Sequence, residues 1–149
     1  MPGCLFDTNA WLASVFEQHP FHGIARQALQ QATPAEPAAF CRATQQSFLR
    51  LASTSALQRT YGVQTLTNRD ALVALDTLQA LPQVCWRDEP PGVFELWRAL
   101  ATRDTASPKL WMDAYLAAFA IAGGLRMLTL DRDFKNFVPQ GLDLNLMNP

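Results

Sequence analysis

The sequence predicts an α/β fold in which a parallel sheet is covered by helices on both faces. Short apolar runs typical of strands alternate along the chain with longer segments of helical periodicity. One helical segment, residues 116–122, has seven apolar residues and no polar residue, which leaves no face for water and predicts a central, buried helix. The 149 residues show no internal repeat or inter-domain linker, so we expect a single domain, 1–149, with a substantial core.

Five apolar runs are predicted to form the strands of this sheet, the last of them at an edge. They cover residues 4–6, 37–41, 84–86, 127–130 and 142–146. The three cysteines fall in the first three runs and lack the spacing of a metal-binding motif. We therefore expect them to be small buried core residues in a reducing compartment. They are Cys4, Cys41 and Cys85.

Helices are predicted between these strands from periodicity and from start and stop signals. They cover residues 10–17, 21–32, 43–53, 68–78 and 93–101, and a last helix begins near residue 107. Asn68 is predicted to cap its helix, and Gly123 with Gly124 to end the last one. The stretch 55–66 is expected to be less regular, with a turn at Gly62.

The apolar residues of two helical segments are expected to face the core because they recur at helical spacing. In the segment 21–32 these residues are Ile24, Ala28 and Leu29. In the segment 68–78 they are Leu72, Leu75 and Leu78.

Three aspartates stand where a parallel sheet would bring them together. Asp7 ends the first apolar run, Asp131 follows the fourth, and Asp113 lies in the early turns of the buried helix. Ligands of such sheets bind beyond the carboxyl ends of the strands, and a helix dipole favours a carboxylate near the helix start. Clustered carboxylates repel one another unless protons or a cation relieve them. We therefore expect a divalent-metal site and, as its chemistry, hydrolysis of a phosphodiester.

Each aspartate also has an ordinary structural interpretation. Asp7 could cap the following helix, and Asp113 could complement a helix dipole. Asp131 and Asp133 could lie in a solvated turn. Three separate motifs would then have to reach one cleft by chance, which favours the metal site. Asn9 is expected to orient ligands or substrate beside Asp7.

The overall charge of the chain gives no independent sign of a nucleic-acid partner. The net charge is −1, so a local basic patch would have to contact such a partner. We expect the basic residues nearest the acidic motifs to be ordinary surface charges, and both histidines to lie at the surface. The basic residues are Arg42, Arg50, Lys109, Arg132 and Lys135, and the histidines are His19 and His22.

Several protein classes are disfavoured by motifs that the sequence lacks. The chain has no GxSxG motif of serine hydrolases and no GxGxxG or Walker loop for nucleotides. No apolar run approaches the roughly 18 residues of a membrane span. The first residues do not form a secretion signal, so we expect no membrane association and a cytoplasmic protein.

Taken together, the motifs resemble a PIN domain, in particular the VapC-type toxin ribonucleases of toxin–antitoxin pairs. They are LFDTNAWL at 5–12, FCRATQQSFLRL at 40–51, WMDAYLAAFAIAGG at 111–124 and MLTLDRDF at 127–134. The resemblance implies a three-layer α/β/α sandwich with a central, mostly parallel five-stranded sheet. It also implies an Mg²⁺- or Mn²⁺-dependent endoribonuclease that cleaves RNA, forms a homodimer and is blocked by a cognate antitoxin protein.

By position, the resemblance assigns metal binding and catalysis to three aspartates and leaves one departure. Asp7, Asp113 and Asp131 match the acidic metal-binding residues of the family, and Asp133 matches a position that is often acidic. Gln45 stands where the family usually has a glutamate, in the segment TQQSF. A glutamine offers a neutral oxygen, so we expect Gln45 to be a supporting group and the metal to bind less tightly.

Two other functions remain open from the sequence. One is a PIN-fold interaction module whose metal site has been weakened or inactivated by Gln45. The other is phosphoryl transfer through an aspartyl-phosphate at Asp7, since a strand-end aspartate is the nucleophile of several phosphatases. Those phosphatases usually carry a second aspartate two residues on, and this chain has Asn9 there.

Overall fold

Five parallel strands form one sheet in the order β3-β2-β1-β4-β5, which confirms the predicted fold class. The computed structural model describes residues 3–62 and 64–148, except for the side chain of Gln58. The strands are β1 Cys4–Phe6, β2 Ala38–Phe40, β3 Val84–Trp86, β4 Arg126–Thr129 and β5 Leu144–Leu146. As predicted, the last strand lies at an edge.

Seven α-helices and one 3-10 helix connect the strands within the described residues. The α-helices are α1 Thr8–Val15, α2 His22–Gln31, α3 Arg42–Ala52, α4 Ser55–Tyr61, α5 Asn68–Gln79, α6 Val93–Ala101 and α7 Leu110–Ala122. The 3-10 helix is Arg132–Gln140. No helix among the described residues is long and apolar enough to span a membrane.

Two hydrophobic clusters, one on each face of the sheet, make the three-layer α/β/α sandwich. The first contains buried residues of α1, α2, α3 and α5, with Trp11 stacked on Phe40 at a ring-centroid distance of 3.8 Å. The second contains buried residues of α6, α7 and the 3-10 helix, with Phe119 and Phe137 among them. Neighbouring residues of β1 serve opposite clusters, as the alternation of strand side chains requires.

The helix α7 is the buried helix that the sequence predicts. The side chains of Leu116, Ala117, Ala118, Phe119 and Ala120 are all buried. Alanines let the helix approach the sheet closely, and the cluster around them includes Met127 of β4. This packing fixes the first turn of α7, where Asp113 lies, against the central strands.

The order of the strands brings two distant parts of the chain together at the centre of the sheet. The chain passes from β1 outward to β2 and β3, then returns to the other side of β1 as β4 and β5. Leu5 of β1 is in register with Met127 of β4, and the Asp7 N–H donates to the carbonyl of Leu128 at 2.9 Å. The change of direction between β1 and β4 is the place where such sheets bind ligands.

The predicted inward faces of α2 and α5 are partly wrong. Ile24 is 47% exposed and Leu72 is 49% exposed, whereas Ala25 and Ala71 are buried. In both helices a small alanine belongs to the buried stripe beside leucines, and a larger neighbour faces water. The prediction favoured the larger side chains, although the alanines fit the helical repeat equally well.

Three local predictions are also corrected. Thr67, not Asn68, caps α5: its hydroxyl accepts from the Asp70 N–H, and the Asp70 carboxylate accepts from the Thr67 N–H. Residues 55–61, expected to be less regular, form α4. Cys41 lies one residue beyond β2, at the N-cap of α3, and is buried.

A leucine pair on α5 tests this account of the core. Leu75 is 6% exposed and Leu72 is 49% exposed, one turn apart on the same helix. We expect Leu75→Ala to lower the free energy of unfolding by about 2–4 kcal/mol because it leaves a cavity. Leu72→Ala should change it by less than about 0.5 kcal/mol. Urea denaturation of both variants measures the difference, and equal losses would contradict the assigned face.

Candidate metal centre

Asp7 follows the last residue of β1 and is the N-cap residue of α1. Its Oδ1 accepts from the Thr8 N–H at 2.8 Å, and its backbone carbonyl accepts from the N–H groups of Ala10 and Trp11. The N-cap interpretation of Asp7 is therefore confirmed. It does not compete with a functional role, since the second oxygen, Oδ2, points toward β4 and its neighbours.

The hydroxyl of Thr129 joins Asp7 to the loop after β4. It donates to Asp7 Oδ2 at 2.7 Å and accepts from the backbone N–H of Asp131 at 3.0 Å. Asn9 reinforces the link, because its amide nitrogen donates to Asp7 Oδ2 and to the Thr129 hydroxyl, and its oxygen accepts from the Leu130 N–H. Thr129 is fully buried. These bonds fix the carboxylate of Asp7 and the start of the Asp131 loop relative to each other.

Asp113, Asp131 and Asp133 form a compact acidic group beside Asp7. Each of the three offers one carboxylate oxygen, and these oxygens all lie within 4.8 Å of one another. Asp131 caps the 3-10 helix by accepting from the Asp133 N–H at 2.9 Å, which orients the pair. Asp113 reaches the group from the first turn of α7. The structure thus brings three of the four aspartates that the sequence singled out within reach of one cation, and Asp7 lies close enough to interact electrostatically with Asp131 and Asp113.

Lys109 places its ammonium group against this acidic group. Its Nζ lies 2.7 Å from Asp133 Oδ2, 2.9 Å from Asp131 Oδ2 and 3.8 Å from Asp113 Oδ2. The expectation that Lys109 is an ordinary surface charge is therefore wrong. The (i, i+4) spacing of Lys109 and Asp113 at a helix start was the available signal, since such residues lie on one helix face.

Two of the carboxyl groups have raised pKa values. Burial is the main cause for Asp7, and it outweighs the hydrogen bonds from Thr129 and Thr8, which lower the pKa. Burial also dominates at Asp113 and raises its pKa to about 6; repulsion from Asp131, Asp7 and Asp133 adds to this, and Lys109 opposes it. In the absence of a divalent cation, the site therefore favours protonation of Asp7 and Asp113.

The donor set fits a hard divalent cation. Carboxylate oxygens are the ligands that Mg²⁺ and related ions prefer, and several of them converge here without a sulfur or nitrogen ligand among the described residues. The ammonium of Lys109 contacts oxygens of the same carboxylates, which shows that this point attracts positive charge. An open cavity of about 340 Å³, lined in part by Lys109, Asp113 and Asp133, gives access from solvent.

Gln45 is buried on α3, and both ends of its amide are engaged. Its oxygen accepts from an Arg42 guanidinium nitrogen at 2.7 Å, and its nitrogen donates to the side-chain oxygen of Gln79. The guanidinium also lies over the ring of Trp86 at 4.6 Å. The amide oxygen of Gln45 that a metal would use therefore already accepts a hydrogen bond from Arg42. The supporting role of Gln45 at a metal site stays a prediction.

The expectation of two surface histidines is wrong for His19. His19 is 8% exposed, its ring lies 4.7 Å from that of Tyr61, and its Nδ1 accepts from the Phe21 N–H. Burial lowers the pKa of His19, with a further contribution from nearby His22. The apolar residues on both sides of the His19 turn were the available signal.

Besides Lys109, Thr129 is a residue of the site to which the sequence analysis assigned no functional role. Thr129 lies in the apolar run that was predicted to form a strand, and its hydroxyl reaches Asp7 because β1 lies alongside β4. A buried threonine in a parallel strand needs a hydrogen-bond partner, which was the available signal.

Substitution of Thr129 tests the link between the two strands. We expect Thr129→Val to lower the free energy of unfolding of the metal-free protein by about 1–3 kcal/mol, because the buried Asp7 carboxylate and the Asp131 N–H lose a partner. Thr129→Ser keeps the hydroxyl and should cost about 1 kcal/mol for the lost methyl group. Urea denaturation in EDTA measures both, and a valine variant that is more stable than the serine variant would argue against the link.

The raised pKa of Asp113 predicts a pH dependence with a defined sign. The pKa of Asp113 is about 6 in the folded protein, above the ordinary aspartate value of 3.8, so the folded protein holds this proton to a higher pH than the unfolded chain does. The stability of the metal-free protein therefore falls as the pH rises between these values. We expect Asp113→Asn to be more stable than wild type by about 1–2 kcal/mol at pH 8, a value reduced because solvent reaches part of the carboxylate.

Denaturation in EDTA at pH 4 to 8 checks this dependence. The stability gain of Asp113→Asn should shrink toward pH 4, where wild type is itself protonated. Asp76→Asn makes the same chemical change on the exposed side of α5 and should show no comparable gain. An Asp113→Asn variant that is less stable than wild type at pH 8 would show that Lys109 outweighs burial.

Comparison with known proteins places these residues in a family. The PIN domain model matches residues 4–138. The chain is 40% identical over 144 residues to Ribonuclease VapC41 of Mycobacterium tuberculosis, covering 96% of this chain and 97% of the relative. It is 30% identical over 134 residues to Ribonuclease VapC31 of the same organism, covering 89% and 92%.

Solved structures share the fold at low identity. VapBC2 from Rickettsia felis, crystallised with a DNA fragment from its promoter, has a TM-score of 0.66 at 15% identity and covers 98% of both chains. VapC20 of Mycobacterium tuberculosis, a toxin that cleaves the sarcin-ricin loop, has a TM-score of 0.61 at 18% identity, covering 94% and 96%. The family model and the full-length sequence similarity together show that this chain belongs to the PIN-domain family, in its VapC group.

Proposed function

We propose that this protein is a metal-dependent endoribonuclease, the toxin of a toxin–antitoxin pair, which hydrolyses RNA phosphodiester bonds by means of a metal-activated water. Residues 1–149 would act as one PIN domain. The observation that carries the proposal is the convergence of three carboxylates, with their oxygens within 4.8 Å of one another, at the carboxyl edge of the sheet. Relatives that match nearly the whole chain are named ribonucleases.

The four aspartates take different parts in this proposal. Asp113, Asp131 and Asp133 present the converging oxygens that would hold Mg²⁺ or Mn²⁺. Asp7 lies deepest and is fixed by Thr129, Thr8 and Asn9, so it would complete the set from the floor of the site. Rigid placement of ligands is what a catalytic site requires, because small displacements are costly.

The chemistry needs no covalent intermediate with the protein. When bound, a divalent cation lowers the pKa of a coordinated water and neutralises charge on the phosphate oxygens. The protein supplies the aspartates that would bind the cation, and the hydrogen bonds of Thr129 and Asn9 orient them. An open cavity beside these aspartates would let the RNA backbone approach. Asp7 is unsuited to be a nucleophile, since both of its oxygens are hydrogen-bonded and it is 9% exposed.

The proposed partners follow from the family and its structural neighbours. A solved neighbour is the complex named VapBC2, which supports a cognate antitoxin protein as the partner of this chain. We propose further that the protein acts as a homodimer in the cytoplasm. The RNA substrate is supported by the name ribonuclease carried by the relatives.

One observation favours a second candidate, a PIN-fold interaction module with a weakened metal site. Gln45 occupies the place of the usual glutamate, and its amide is bound to Arg42 and Gln79. The retained aspartates weigh against this candidate, because a cluster that no longer binds a cation costs stability. Stabilisation of the protein by Mn²⁺ separates the two, since a working site gains stability from its ligand by mass action.

Cleavage of total cellular RNA tests the proposal directly. We expect purified wild type to produce discrete fragments with Mg²⁺ or Mn²⁺ and none with EDTA. Asp7→Asn should reduce the cleavage rate by about 100-fold or more, because a ligand charge is lost where the transition state needs it. The substitution keeps the N-cap at α1, since asparagine caps as well as aspartate.

A matched variant separates loss of the site from loss of a surface charge. Asp76→Asn removes one exposed carboxylate on α5 and should cleave like wild type. Metal-dependent fragments from wild type and Asp76→Asn alone would establish the nuclease. The absence of cleavage under every metal, together with an unchanged melting temperature in Mn²⁺, would favour the interaction module instead.

A further inference from the structure

The ammonium group of Lys109 lies where the carboxylates of the site converge. It is within 2.7–2.9 Å of oxygens of Asp133 and Asp131 and 3.8 Å from an oxygen of Asp113. These aspartates are the three whose oxygens lie close enough together to share one cation. The ammonium donates hydrogen bonds to Asp131 and Asp133 and forms a longer ion pair with Asp113, so this single group contacts the whole acidic set.

The position of Lys109 in its own helix does not explain this arrangement. Lys109 is the N-cap residue of α7, and a cation at a helix N-terminus is disfavoured by the dipole. Its strongest contacts are with Asp131 and Asp133, more than twenty residues away in the chain. The acidic set, and not the local helix, therefore holds the ammonium in place.

The exposure of the Lys109 side chain allows its ammonium group to move away from the carboxylates. Its side chain is 65% exposed, so the ammonium can return to water without crossing a closed core. Lysine is a compact charge on a flexible four-carbon stem, which permits such a movement. Asp7, in contrast, is buried and tied to two strands, so it cannot adjust in the same way.

We propose that Lys109 is an internal cation that competes with the divalent metal for the carboxylates of Asp113, Asp131 and Asp133. The inference rests on the metal site of the proposed function. In the metal-free protein the ammonium relieves the repulsion between the carboxylates. Metal ligation uses the same oxygen lone pairs, and two cations at one point repel each other, so the ammonium has to withdraw when the metal binds.

This role has a signature that a merely structural role lacks. A lysine that only maintained the shape of the site would, on removal, lower both the stability of the protein and its affinity for metal. A competitor has effects of opposite sign. Its removal destabilises the metal-free protein, because the carboxylates lose their counter-charge, and tightens metal binding, because no ammonium has to be displaced.

Lys109→Met tests the two signs in one variant, and methionine keeps the length of the side chain without its charge. In EDTA we expect the melting temperature to fall by about 1–4 °C relative to wild type. In a calorimetric titration with Mn²⁺ alone, we expect the dissociation constant to fall about threefold to tenfold. Lys109→Arg keeps a cation in place and should bind Mn²⁺ with nearly the wild-type affinity.

Lys135→Met is the matched control, since it removes the same charge from an exposed position on the neighbouring 3-10 helix. We expect its Mn²⁺ affinity to change by less than about twofold. An equal gain in Lys135→Met and Lys109→Met would overturn the proposal, because general charge would then explain it.

The remaining outcomes separate this inference from the proposed function. Wild type that binds Mn²⁺, with Lys109→Met binding it equally or more weakly, would overturn the competition and leave the metal site intact. Wild type that binds no Mn²⁺ would overturn the metal site, and with it any competition at that site.

Discussion

The site depends on one hydrogen bond between two strands, from the buried hydroxyl of Thr129 to the carboxylate of Asp7. Asp7 is the least exposed of the clustered carboxylates, and burial of such a group is unfavourable without partners. Thr129 supplies one partner from β4, and the Thr8 N–H supplies another from α1. The same hydroxyl accepts from the Asp131 N–H, so the cost of burying Asp7 is offset by a bond network that also positions Asp131.

This network exists because β1 and β4 are neighbours at the centre of the sheet. The two strands are separated by most of the chain, and only the reversal of strand order places their carboxyl ends side by side. The long buried helix α7 then packs against the same strands and delivers Asp113 from its first turn. The hydrophobic core on that face therefore fixes the position of Asp113 relative to the strand ends. A substitution that loosens this core would also disturb the spacing of the acidic residues.

The sequence predicted the parts of the site that depend on strand ends, and it missed those that depend on facing side chains. The positions of Asp7 and Asp131 could be predicted because each aspartate follows an apolar run. In a parallel sheet such a residue lies at the carboxyl end of its strand. The spacing of Lys109 and Asp113 could have placed them on one helix face, but the contacts of Lys109 with Asp131 and Asp133 could not be predicted, because only the tertiary arrangement brings that element near.

The errors on helix faces have a related origin. The buried stripes of α2 and α5 contain the alanines Ala25 and Ala71, whose small side chains contribute little to a hydrophobic pattern. Larger neighbours, Ile24 and Leu72, face water instead. A helix that packs closely against the rest of the protein favours small residues on its buried face. A search for large apolar residues therefore overlooks such a face.

The charge balance of the site relates Lys109 to Gln45. Four aspartates carry up to four negative charges, and Lys109 returns one positive charge to three of them in the metal-free protein. A glutamate at position 45 would add a further negative charge next to Arg42, whereas Gln45 accepts the same hydrogen bond without it. In the proposed function, the metal would replace Lys109 as the counter-charge of the acidic group. Gln45 would give that metal one negative charge fewer than the usual glutamate.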